Sequence, residues 1–162
     1  MGHLFFVILI GIGATAVMDL WGAIRKRLLN IAPTNWAMVG RWVGHLGQGQ
    51  FRHTAIAQSP PIRFERFIGW TAHYVTGVAY AALLVMICGS TWITAPSIGP
   101  ALAFGIATVV APFFLLQPGM GAGVAGSRTP NPNAIRLHSV INHAVFGCGL
   151  FLSALALQWV PV

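Results

Sequence analysis

Hydrophobic residues along this chain gather into four long runs, separated by stretches where polar residues, glycines and prolines concentrate. The runs cover 4–24, 67–88, 98–117 and 137–159, and none alternates as a half-buried strand does. A hydrocarbon layer about 30 Å thick takes roughly 20 helical residues to cross, so each run is long enough. Inside hydrocarbon every backbone amide needs an internal partner, which a helix supplies along its own length. The pattern therefore predicts an all-α polytopic membrane protein, with four transmembrane helices bundled into a single domain over 1–162.

The polar stretches carry further structure. In the long connection 25–66, Pro33-Thr34-Asn35 offers a helix start and Gly47-Gln48-Gly49 a stop. Between them Trp36, Val39, Val43 and Leu46 fall on one side, Arg41 and His45 on another. This predicts a short interfacial helix at headgroup depth, where Trp36 and Trp42 suit the boundary because an indole combines an apolar body with one polar donor. Pro60-Pro61 then breaks the chain before the second run. The connection 118–136, from Gln117-Pro118-Gly119-Met120-Gly121 through Pro130-Asn131-Pro132, reads as an ordered turn or re-entrant segment, and Pro112 is expected to kink the third span.

Charge sets an orientation. Only 7% of residues are charged against 56% hydrophobic, too little charge for the surface of a soluble enzyme of this length. All nine Lys and Arg lie in 25–66 and 128–136, the two connections that positive charge would hold in the cytoplasm. Both termini and the neutral connection 89–97 are then outside. Ala14-Thr15-Ala16 has the spacing of a signal-peptide cleavage site, but Arg25-Lys26-Arg27 follow the apolar run instead of preceding it, which fits a retained span. The net charge of +7 is expected to meet anionic headgroups or an anionic substrate through Arg41, Arg52, Arg63, Arg66 and Arg128, and not nucleic acid. Cys88 and Cys148 fall at different depths and are expected to stay unpaired.

Two fragments repeat: His73-x-Val75-x-Gly77 returns as His143-x-Val145-x-Gly147, and Ala14-Thr15-x-Val17 as Ala107-Thr108-x-Val110. They suggest two parallel two-helix halves, with His73 and His143 facing one another. Counted along the spans, Asp19 lies about 8 Å and both histidines about 9 Å from the cytoplasmic ends of their helices. Asn142 and Gln117 lie near that level, and Glu65, His45, His53 and His138 approach from below. An ionised carboxylate within the bilayer costs several kcal/mol unless paired, so Asp19 should face the interior, pair with Arg25 or carry a proton. Imidazole and carboxylate together suit a transition metal, with Asp19, His73 and His143 as principal ligands and His45, His53, Glu65 and His138 as further ones. The same two histidines suit axial ligation of a haem, and histidine with aspartate also suits a proton relay. Ser127-Arg128 followed by His138 fits the membrane lipid phosphatases poorly, since their histidine stands nearer the arginine and an acid follows it.

The segments Gly11 to Asp19, Gly40 to His45, Phe51-Arg52-His53, Gly69 to Tyr74, Gln117 to Gly121, Ser127 to Pro130 and His143 carry a resemblance over nearly the whole chain. The chain resembles small bacterial inner-membrane proteins grouped only as a domain of unknown function, which implies a multi-pass bacterial membrane protein and no particular activity. Three functions stay open. The first is a bundle binding a metal ion or haem at a His/Asp site in the cytoplasmic leaflet, for redox or hydrolytic chemistry. The second is a small proton-coupled transporter acting as a homo-oligomer, and the third an accessory or assembly subunit packed against a membrane partner.

Overall fold

In the computed structural model, which describes residues 2–159, every regular element is helical. Residues 1 and 160–162 lie outside the described residues, and with them the chain ends on which the orientation was placed. Helix α1 spans His3–Leu29, α2 Trp36–Leu46, α3 Glu65–Cys88, α4 Thr91–Thr94, α5 Ile98–Ala107, α6 Gln117–Gly119 and α7 Pro132–Leu157. Four stretches are long and apolar enough to cross a membrane: His3–Leu29, Glu65–Cys88, Ile98–Gly119 and Pro132–Leu157. The protein is a multi-pass membrane protein.

The chain divides into two compact units. The first comprises Met1–Pro33, Tyr74–Thr108 and Ile141–Val162. Its core is built from Ile10 and Ala14 of α1, Ala81 and Leu84 of α3, Ala101 of α5, and Phe146, Leu150 and Ala154 of α7, closed by Trp92 and Ile93 of α4. Lipid offers no hydrophobic drive between helices, so they associate where small residues let backbones touch. A Cβ on Gly105 would lie 2.5 Å from Gly147 Cα and 2.7 Å from the His143 carbonyl oxygen, and one on Gly11 would lie 2.8 Å from Val78 N. Both helix pairs sharing the repeated fragments are thus joined through glycine, but in different register. Gly77 lies against Thr15, whereas Thr108, the counterpart of Thr15, bonds His143, one turn before Gly147. Likeness in sequence does not become likeness in contact.

The second unit comprises Thr34–His73 and Val109–Val140. Asn35 caps α2, accepting from Ala37 N at 3.1 Å and Met38 N at 3.4 Å, so the predicted start is met. Gly40 of α2 sits against the Glu65 carbonyl and Gly69 of α3 against that of Trp36, with no room for a side chain at either. The segment after α2 is stitched to the end of the third span by His53 N to Gly119 O at 2.9 Å and Ile56 N to Met120 O at 3.0 Å. Gly121 is required there twice over, by a φ of +96° and by the closeness of the Thr54 carbonyl.

Several boundaries differ from the expectation. Helix α1 continues through Arg25-Lys26-Arg27 and stops at Asn30, whose left-handed φ of 53° turns the Ile31 N–H back to Arg25 O at 3.3 Å. Helix α7 begins at Pro132, inside the expected connection, because proline fits the first turn of a helix, where no N–H is needed. The kink at Pro112 is a change of helix type: α5 ends at Ala107, and Pro112–Leu116 forms a π-helical turn closed by Gln117 N to Pro112 O. On α2 the polar residues face inward. Arg41, Trp42 and His45 are all buried, and the Trp42 indole donates to Phe51 O at 3.1 Å.

Candidate functional site

In the second unit, α2 and the loop after it bring together three polar arrangements. Arg41 donates from Nε to Glu65 Oε2 at 2.8 Å and from a terminal nitrogen to Oε1 at 3.0 Å, a two-pronged pair. Its other terminal nitrogen donates to Ser59 O at 2.9 Å, so the guanidinium also organises the chain ahead of Pro60. The hydrogen bonds and charge of Glu65 raise Arg41 further above its already high ordinary value and keep it charged. Glu65 Oε2 additionally accepts from Ile62 N at 3.3 Å. Glu65 and Arg41, expected as a metal ligand and an anion contact, are therefore engaged with each other. Arg52, Arg63, Arg66 and Arg128 are exposed, as an anion or headgroup contact requires, with Arg63 lying over the Phe64 ring.

His45 and His53 form a directed chain. His53 Nδ1 lies 3.2 Å from Gly119 O and His45 Nδ1 lies 2.8 Å from His53 Nε2. A carbonyl only accepts, so neutral His53 carries its proton on Nδ1, its Nε2 accepts, and His45 donates from Nδ1. Two nitrogens on one tetrahedral zinc at about 2.0–2.1 Å stand roughly 3.3 Å apart, so the 2.8 Å separation here is that of a hydrogen bond. The chain leaves His45 Nε2 as the basic nitrogen. His73, the third histidine of this unit, is buried, its ring stacked on Trp36 at 3.8 Å between centroids and tilted against Trp70 at 5.8 Å. His138 stands half-buried near the start of α7.

In the first unit, Asp19 accepts from the Tyr74 hydroxyl at 2.9 Å. Thr108 Oγ1 lies 2.6 Å from Gly105 O and 2.7 Å from His143 Nδ1. The threonine has one proton and gives it to the carbonyl, so His143 donates from Nδ1 and carries its lone pair on Nε2. The neighbouring Asn142 Oδ1 is buried without a partner, and in the second unit so is Gln117 Oε1, although Gln117 Nε2 reaches Ser139 at 3.4 Å. Asp19 and His143 thus belong to one unit and His73 to the other. Among the described residues no three His, Cys, Asp or Glu side chains are gathered into a group that could hold a metal ion. Cys88 and Cys148 are free thiols.

A family model for a protein of unknown function, DUF2938, matches residues 8–157. The chain belongs to the DUF2938 family. No curated protein and no solved structure matches it. The DUF2938 match takes in the first span from residue 8, the other three spans, and every polar group described above.

Sequence reasoning found the histidines and Asp19 but missed their partners in this DUF2938 protein. Tyr74 had a signal, since a phenol inside a span needs an acceptor. Thr108 had a weaker one, being the counterpart of Thr15 in the repeated fragment. The Gly119 carbonyl had none, because a backbone acceptor contributed by another segment leaves no mark on residue types.

Proposed function

We propose that this protein is a small proton-coupled transporter of the bacterial inner membrane that works as an oligomer, with its arginine-rich connections in the cytoplasm. The observation that carries the reading is the shared tautomer of two histidine arrangements. In His143–Thr108 and in His45–His53–Gly119 each Nδ1 proton is given away, and one Nε2 is left to take up a proton. Protonation at Nε2 keeps every existing bond, because imidazolium donates from both nitrogens. Asp19, held by Tyr74, supplies the negative charge that a cationic or hydrogen-bond-donating solute requires. Four spans are few for a pathway within one chain, hence the oligomer.

Reconstituted vesicles test this directly. Charge movement on a solid-supported membrane is recorded with a panel of small amines and monovalent cations at several pH values. Transport that requires a pH gradient and is lost in Asp19→Asn and in His143→Gln supports the reading. Solute flux that ignores both substitutions, or no flux with any member of the panel, removes it.

A second reading is favoured by the same tautomers, since metal-ligating imidazoles hold their other N–H to an oxygen as His143 and His53 do. In it His143 and Asp19, which lie in the same unit, bind a transition metal, or His143 ligates a haem. A proton asks for one nitrogen and a zinc site for three or four donors, so the first reading demands less of the side chains present. Elemental analysis and a visible spectrum of the purified protein separate the two: stoichiometric metal or a haem band, lost in His143→Ala, establishes the second.

A further inference from the structure

The buried face of α1 runs Val7, Ile10, Gly11, Ala14, Thr15 and Gly22, a helical stripe of small and apolar residues, and it ends on Arg25. Arg25 is 5% exposed, whereas its neighbours Lys26 and Arg27 are exposed. Its placement is therefore not that of the charges that fix topology at the membrane surface. The chain has two acidic residues, and Glu65 is paired with Arg41 while Asp19 accepts from the Tyr74 hydroxyl. Arg25 Nε is buried and makes no hydrogen bond. One turn earlier, Trp21 Nε1 is also buried and unbonded, and the guanidinium carbon lies 5.9 Å from the Trp21 ring. Buried donors in proteins are almost always satisfied, and a buried cation is kept only with a counter-charge. Two such lapses, a helical turn apart and on contacting side chains, belong to one site.

We propose that Trp21 and Arg25 form an oxyanion site that binds a phosphate group. The guanidinium edge through Nε presents parallel donors matched to two phosphate oxygens, and the indole N–H supplies a third donor from the same helix face. No bond at Nε or at Trp21 Nε1 has to be broken when these side chains turn toward a ligand. Two sources share this chemistry: the phosphate of an anionic phospholipid and a soluble phosphate. The site is independent of the histidine arrangements.

Native mass spectrometry of the detergent-solubilised protein, incubated separately with phosphatidylglycerol and with inorganic phosphate, tests the proposal. The expected result is one adduct at low ligand excess, with apparent affinity reduced about tenfold or more in Arg25→Gln and about threefold or more in Trp21→Phe, which keeps the ring and removes the donor. Arg27→Gln should bind as the parent does. A lipid adduct alone assigns the source to the bilayer, and a phosphate adduct alone assigns it to solution; either supports the site. No adduct with either probe overturns the proposal, as does equal binding by the Arg25→Gln and Trp21→Phe proteins, or an equal loss in Arg27→Gln. Should Arg25→Gln fail to fold, Trp21→Phe set against Arg27→Gln decides.

Discussion

Replacing Glu65 with glutamine is the sharpest perturbation available in the second unit. The Arg41 side chain is 10% exposed and that of Glu65 20%. Glutamine preserves shape but puts an amide nitrogen where one carboxylate oxygen accepted, so two donors meet and the guanidinium loses its counter-charge. Breaking a fully buried pair by removing one partner costs about 3–5 kcal/mol, and partial exposure brings this to about 2 kcal/mol here. At about 1.4 kcal/mol per factor of ten, local opening becomes roughly 30-fold more frequent. Hydrogen exchange followed by mass spectrometry in detergent measures it, with peptides from α2 as the reporter and peptides from α5 as the reference. Protection over Trp36–Leu46 should fall by that factor while Ile98–Ala107 stays unchanged. The double variant Arg41→Met/Glu65→Leu, which leaves no stranded charge, should recover most of the loss. Exchange at the parent rate in Glu65→Gln, or no recovery in the double variant, would refute the assignment of the pair as the clamp on α2.

Three further outcomes are expected. Gly105→Ala forces α5 away from Gly147 and should cost about 1–3 kcal/mol in thermal unfolding followed by circular dichroism, while Gly99→Ala, with nothing within 4 Å, should leave the midpoint where it was. His53→Ala removes the acceptor of buried His45 and the side-chain bond to Gly119, costing about 1–3 kcal/mol locally, and limited proteolysis should cut within 50–58 sooner than in the parent. A reporter fused after Val162 should be active only outside the cytoplasm, and activity inside would reverse the orientation derived from the arginines.

The spans were legible because the length of an apolar run answers to the thickness of a bilayer, a constraint that acts on the sequence directly. Their ends were less so. Arg25 to Arg27 suggested that α1 was over, yet a helix terminates where its backbone finds a cap, here at Asn30. Pro132 read as loop for the converse reason, since the same ring that breaks a helix interior suits its first turn. Of the candidate site, the depth count drew Asp19, His73 and His143 together as one group. Each also has a contact from a side chain the count ignored: Tyr74 for Asp19, Thr108 for His143 and the Trp36 ring for His73.

Helix α2 shows what pattern alone leaves open about polar groups. Amphipathic reading assumes that the polar face of a helix seeks solvent, and by that rule Arg41 and His45 turn outward. In a lipid-dissolved protein the rule loses its sign, because apolar side chains have no penalty to avoid at the surface: Leu20, Leu28, Phe67 and Met86 are all well exposed. Polar side chains are the ones that need enclosure, and they obtain it by bonding one another and the carbonyls of irregular segments. The connection 50–59 and the turn at Gly119 supply those carbonyls to Arg41, Trp42 and His53. A polar residue buried beside non-helical backbone is consequently explained by satisfaction alone. Arg25 Nε and Trp21 Nε1, donors buried beside nothing that answers them, are exceptions to it, and the proposed phosphate site rests on them.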